Sequence, residues 1–217
     1  MFITRLSQKI EDWASRQEIV YKYAMGYYRD VIEKEVVLAN ITENDKILCI
    51  GGGICPFSAI LFHQETGAGV TVIDNNKKCV SKAREVIGRL GLDKYVSVFC
   101  CDGACPDIDF SEFTIIHFAM QVFPIDSVFS HVEQNVCPGT KLLVRVPKNS
   151  LRKLYSHNQA DLPSPLLNAC PLTAHKNARN IGSTLLYIKQ EDDLEKEMEM
   201  AVGVNYTPVS CHYPVAV

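Results

Sequence analysis

The chain has no excess of positive charge. Its 22 Lys and Arg are outnumbered by 25 Asp and Glu, for a net charge of −3. A nucleic-acid partner is therefore not expected, because binding phosphates calls for a basic surface. No apolar run approaches the roughly 18 residues of a membrane span, so no membrane partner is expected. A charged segment leading into an apolar stretch is missing at the start, so no secretory signal is expected. The nine cysteines form no paired Cys-x-x-Cys sets, so neither zinc nor another metal is expected. Their number is odd, and Cys49, Cys100 and Cys101 lie inside apolar β-rich segments. That pattern suits buried free thiols in a reducing compartment, the cytoplasm. No repeat, low-complexity segment or linker divides the 217 residues. The remaining composition, 47% hydrophobic and 22% charged, is that of a globular α/β chain large enough for a sizeable core.

What is present centres on Lys46 to Cys55. Ile47 to Ile50 is a short apolar run with a β-branched residue at each end, stopped by Gly51, Gly52 and Gly53. Such a run reads as a buried strand. Beyond it Phe57, Ile60 and Leu61 recur at helical spacing. The unit is strand, glycine turn, helix. Glycine lets the backbone approach a ligand closely, and the helix start offers free N–H groups. Val70 to Ile73 forms a second strand ending in Asp74, 21 residues after Gly53. An acid at that distance is placed to bind the ribose hydroxyls of an adenosine. The alternative is a βαβ turn whose glycines serve packing, with Asp74 a solvated loop acid.

The rest follows a β-α alternation with short connections, which predicts a mostly parallel sheet with helices on both faces. A helix is expected over Asn76–Leu90, closed by Gly91. Strands are expected over Val96–Cys100, Thr114–Ala119, Lys141–Val146 and Ser183–Lys189, with a short helix over Asp126–Gln134. Before the sheet, Phe2–Val20 and Tyr21–Ala39 read as helical, and Gly26 is expected to divide the second stretch. A helical turn is expected at Leu151–Ser156, loop at Asp161–Pro171, an acidic helix at Glu191–Met200 and an edge strand at Tyr206–Val217. Residues 1–45 are thus expected to form an N-terminal helical cap on a Rossmann-like domain, 46–217.

The set Gly51, Gly52, Gly53, Asp74 and Asp102, with Val136-Cys137-Pro138-Gly139 before strand five, resembles the class I S-adenosylmethionine-dependent methyltransferases. The resemblance implies that the glycine turn holds the methionine moiety, Asp74 the ribose and Asp102 the adenine amine. Ile54, Asn75, Gly103 and Ala119 join this cofactor set. An NAD-binding turn wants Gly or Ala where Pro56 stands, which counts against NAD. A narrower resemblance is to nicotianamine synthases. Their Gly-x-Gly-x-x-Pro turn is matched by Gly51 to Pro56, their strand-five Arg by Arg145, their following Leu-Tyr by Leu154-Tyr155, and their helical Tyr and Glu by Tyr28 and Glu35. Those enzymes transfer the aminocarboxypropyl arm of the same cofactor. The implied function is a transferase using S-adenosylmethionine on a small-molecule acceptor, with methyl transfer expected first. Arm transfer and a non-catalytic cofactor binder are the alternatives.

Displacement at a sulfonium carbon needs the nucleophile held in line and a group for its proton. Glu35 and Tyr28 are the catalytic candidates. Arg145 suits a substrate carboxylate bidentately. His117, at the end of strand four, and Tyr155 complete the expected substrate side. The plainer alternatives are an exposed Glu35 paired with a lysine, a structural salt bridge for Arg145, and a hydrogen-bonded core histidine for His117. His63 and His131 read as surface.

Overall fold

The structure, a computed structural model, describes residues 18–104, 108–154, 162, 163, 166 and 171–191. Helix α1 (Glu18–Ala39) leads into β1 (Lys46–Ile50), α2 (Phe57–Thr66), β2 (Gly69–Asp74), α3 (Lys77–Arg89) and β3 (Val96–Cys100). Then come β4 (Ile115–Phe118), α4 (Ile125–Asn135), β5 (Lys141–Pro147), β6 (Leu172–Ala174) and β7 (Ile181–Ile188). Short 3-10 turns occupy Phe110–Glu112 and Asn149–Leu154.

The seven strands form one sheet in the order β3-β2-β1-β4-β5-β7-β6. β1 to β5 run parallel, and β7 enters antiparallel between β5 and β6. Alternation along the strands divides the core. Ile47, Cys49, Val70 and Val72 pack with Ile32 of α1, Ile60 and Phe62 of α2, and Val86 and Ile87 of α3. Leu48, Ile50, Ile116 and Phe118 face the other way, onto Val128, Phe129 and Val132 of α4. The expected parallel sheet with helices on both faces is therefore present. The strand order reverses between β1 and β4, and an open sheet binds ligands at such a switch point.

Several expectations change. Gly26 does not divide the helix: α1 runs through it. An exposed helical glycine costs only about 1 kcal/mol against alanine, and burial of Ala24, Met25, Val31 and Ile32 holds both sides in register. β6 is a three-residue strand with no sequence signal of its own, formed by pairing with β7. His63 and His131 are half-buried, not surface. His63 Nδ1 lies 2.9 Å from the Ala68 carbonyl, and its ring stacks on Tyr95. His131 sits edge-on to Phe110. Cys49 is the buried free thiol expected, Cys100 and Cys101 are free thiols but exposed and half-buried, and Cys137 is disulfide-bonded. The expectation of free thiols throughout fails there, because pairing depends on which Cβ atoms the fold brings together. The helix expected before residue 18 lies outside the described residues. So do most of Asp161–Pro171 and Glu191–Met200 and all of Tyr206–Val217. Among the described residues, no helix is long and apolar enough to cross a membrane, and no cluster of His, Cys, Asp and Glu is arranged to hold a metal.

Candidate active site

At the switch point β1 gives way to the glycine turn. Gly51 and Gly53 adopt φ of 85° and 66°, the left-handed region that glycine enters without strain. Gly52 is required for a different reason. A Cβ there would lie 2.1 Å from Val72 Cγ1 on the neighbouring strand. The turn is fastened to β2 by its own amides: Gly51 and Gly52 donate to the Ile73 carbonyl at 2.8 and 3.2 Å. Gly53 donates to Asp74 Oδ2 at 2.8 Å, and Asn76 donates to Oδ1 at 2.9 Å. Each Asp74 oxygen thus accepts one backbone N–H and keeps further lone-pair capacity.

The tip of β3 lies alongside. Asp102 accepts from Ala104 N at 3.0 Å and from Asn75 Nδ2 at 3.4 Å. Gly103 is wedged so that a Cβ would meet Ile50 and Val128, each at 2.8 Å. Gly51, Asp74, Asn75, Asp102 and Gly103 line an outer cavity of about 180 Å³. Ala119 and Gly52 line a second, inner cavity of about 60 Å³, whose wall shares Ile50, Gly51 and Gln121 with the outer one. Ile54 is buried and lines neither.

The inner cavity is walled by Tyr28, Ser58, His117, Arg145 and Asn180. Glu35 does not reach its surface. It is fully buried behind Arg145, whose Nε and Nη2 each donate to a Glu35 oxygen at 2.7 Å. Arg145 Nη1 donates to Ser58 Oγ at 2.8 Å, and its guanidinium lies 5.8 Å from the Tyr28 ring centre. Thr184 Oγ1 donates to Glu35 Oε1 at 2.6 Å, and His175 Nε2 lies 2.8 Å from that hydroxyl. His117 Nε2 lies 3.9 Å from Glu35 Oε2. The exposed Glu35 considered from sequence is thus excluded, and the Arg145 fork is filled by Glu35.

Burial pushes the Glu35 carboxyl upward, but the Arg145 charge and hydrogen bonds outweigh it and hold it below the usual carboxylate range. Burial, aided by Arg145, drives His117 down to about 3, so its ring is neutral. Burial pushes the Cys49 thiol up to about 12.

Tyr28 stacks on Phe57 with centroids 5.5 Å apart and meets Tyr27 edge-on at 5.0 Å. The Tyr27 hydroxyl pairs with Asn180 Oδ1 and accepts the Arg179 amide at 3.1 Å, tying α1 to the β6–β7 turn. Arg179 also donates to the Tyr23 hydroxyl at 2.8 Å. Tyr155 lies outside the described residues. Sequence reasoning missed Ser58, Thr184, His175 and Asn180. For Thr184 the signal exists only in the register: it is the antiparallel partner of Arg145 across β5 and β7.

Comparison with known proteins adds the following. No family model matches the chain. The L-histidine 2-aminobutanoyltransferase of Yersinia pestis is 29% identical over 69 residues, 32% of this chain. The match spans only 26% of that relative's length. Among solved structures, MtNAS, a nicotianamine synthase, in complex with MTA and tNA, superposes with a TM-score of 0.72 at 21% identity. That match covers 86% of this chain and 73% of MtNAS. A point mutant of MtNAS gives a TM-score of 0.74 at 20% identity, covering 88% and 74%. A putative S-adenosyl-L-methionine-dependent methyltransferase from Methanococcus maripaludis gives 0.61 at 13% identity, covering 84% and 94%. The fold is therefore the Rossmann-like fold of the S-adenosylmethionine-dependent methyltransferases, shared with nicotianamine synthase.

Proposed function

We propose that the protein is an S-adenosylmethionine-dependent transferase acting on a small-molecule acceptor, and that it transfers the aminocarboxypropyl arm. The observation that carries the cofactor assignment is the clamp at the switch point. The glycine turn, with no room for a Cβ at Gly52, is hydrogen-bonded to Asp74 and opens onto the outer cavity. Such a cradle suits a nucleoside: Asp74 would hold the ribose, Asn75 and Asp102 the adenine edge, and Gly51 to Gly53 and Ala119 the methionine part. When bound, the cofactor supplies an electrophilic carbon on sulfonium with a good thioether leaving group.

The chain's own residues do the rest. Tyr28, Ser58, His117 and Arg145 face the inner cavity, where they would orient the acceptor and limit water. Glu35 acts through Arg145, holding the guanidinium fork in one plane with two hydrogen bonds. Of the expected cap over residues 1–45, the described part, 18–45, would cover this region.

Arm transfer is favoured by the named activity of the Yersinia pestis relative and by Tyr28, Glu35 and Arg145, which stand where the resemblance to nicotianamine synthases expects them. Methyl transfer is the second reading, favoured by the fold shared with the putative methyltransferase of Methanococcus maripaludis, of which the chain spans 94%. Incubation with S-adenosylmethionine and a small-molecule cell extract, followed by mass analysis, separates them. Methylthioadenosine is the expected product. S-adenosylhomocysteine would establish methyl transfer instead, and neither product would indicate a non-catalytic binder.

A further inference from the structure

His117 is 1% exposed, and among the described residues neither of its ring nitrogens has a hydrogen-bond partner. It sits in mid-sheet on β4, between Cys49 of β1 and Leu143 of β5, and forms part of the inner cavity wall. Buried polar side chains are normally satisfied, so an orphan beside a cavity calls for a partner that the cavity brings. Among the described residues, Glu35, Arg145 and, edge-on, Phe62 lie about the ring, with Cys49 its neighbour on β1.

Charge decides which nitrogen carries the hydrogen. Nε2 is the nitrogen that lies toward the Glu35 carboxylate, 3.9 Å from Oε2. A lone pair against that carboxylate would be repelled, so Nε2 carries the hydrogen and Nδ1 presents a lone pair. Nδ1 therefore lacks a donor. Glu35 and Arg145 are bound to each other in a bidentate pair, so neither is free to hold an ammonium or a carboxylate at this point.

We infer that His117 is a binding residue for the second substrate, its Nδ1 accepting a hydrogen bond from an uncharged N–H or O–H group of the acceptor in the inner cavity. The inference rests on reading the site as that of a transferase. It also separates the roles of two residues: His117 touches the acceptor, and Glu35 holds the Arg145 fork beside it.

Hydroxylamine, a small uncharged N–H and O–H donor in mildly alkaline buffer, is a suitable probe. Protein labelled with ¹⁵N-histidine and saturated with S-adenosylmethionine should show His117 as a neutral ring with an unprotonated Nδ1. Hydroxylamine should move that Nδ1 resonance. H117F, which removes both nitrogens, should weaken hydroxylamine binding about tenfold, the loss of one buried hydrogen bond. H117N, which keeps an acceptor near the Nδ1 position, should retain most of it. An Nδ1 signal unmoved by saturating hydroxylamine would overturn the inference, as would equal affinity in H117F. Should H117F fail to fold, the wild-type spectrum and H117N decide. Failure of the wild-type protein to bind S-adenosylmethionine would instead remove the transferase reading beneath.

Discussion

A carboxylate serves as a base only where a proton can reach it. Glu35 is enclosed by two Arg145 donors and the Thr184 hydroxyl, so its first effect is on structure. Glu35→Gln leaves Arg145 as a buried charge without its counter-ion, and such a loss costs about 3–5 kcal/mol. Denaturant unfolding should show that drop for Glu35→Gln and for Arg145→Met alone. The double change to apolar residues, Glu35→Leu with Arg145→Met, should recover much of it without recovering activity. A loss within about 0.5 kcal/mol, as for a surface residue, would contradict the enclosure. Asp74 differs, because it is half-buried and already fastened to the turn. Asp74→Ala should weaken S-adenosylmethionine binding by about 1–3 kcal/mol, the cost of leaving polar hydroxyls without their acceptor. Calorimetric titration measures this directly, and unchanged affinity would end the assignment.

The element that defines the site is α1. It was legible as a helix, since Val31, Ile32 and Glu35 fall on one stripe, but not as a single one. What docks it is a polar contact that no helical pattern announces. The Tyr27 hydroxyl takes the Arg179 amide and pairs with Asn180, a residue of the inner cavity wall. Tyr27→Phe should lower stability by about 0.5–1.5 kcal/mol, the net worth of a hydrogen bond whose exposed amide can turn to water. It should also raise hydrogen exchange in α1 and in the 175–180 turn together; a change in only one of them would show that the contact does not couple them. The glycine turn is the second such element. Gly52→Ala sets a methyl against Val72. Overpacking of this kind costs about 1–3 kcal/mol, and here it should also displace the amides that hold Asp74. Reduced S-adenosylmethionine affinity, with the fold intact by circular dichroism, is the expected reading.

For the molecule as a whole, the buried network predicts acid sensitivity. His117 is held at about 3 against an ordinary 6.5. Between those values the unfolded chain binds a proton that the folded chain refuses. Stability therefore rises with pH across that window and falls as pH drops from about 6.5 toward 3. Glu35 acts in the same direction: its lowered carboxyl stabilises the fold above the ordinary carboxylate range, and that contribution is lost as pH falls through the folded value. Unfolding midpoints taken from neutral to acid pH should decline, and the decline should be shallower in H117F by about one proton's worth of slope. Parallel curves for the two proteins would show that His117 is not the group responsible.

The β-α alternation, the glycine turn and Asp74 were readable because each rests on local physics. Burial on both faces makes a continuous apolar strand, left-handed φ asks for glycine, and an acid at a strand tip follows from chain direction. The same reasoning placed Glu35, Tyr28, His117 and Arg145 near one end of the sheet without saying which would touch. That depends on contacts 110 residues apart for Glu35 and Arg145 and 149 apart for Glu35 and Thr184, and on the antiparallel register that sets Thr184 beside Arg145. Whether Glu35 faces solvent or lies behind a guanidinium is decided by the packing of α1 on the sheet, because burial of a charge is settled by the partner that tertiary structure brings to it.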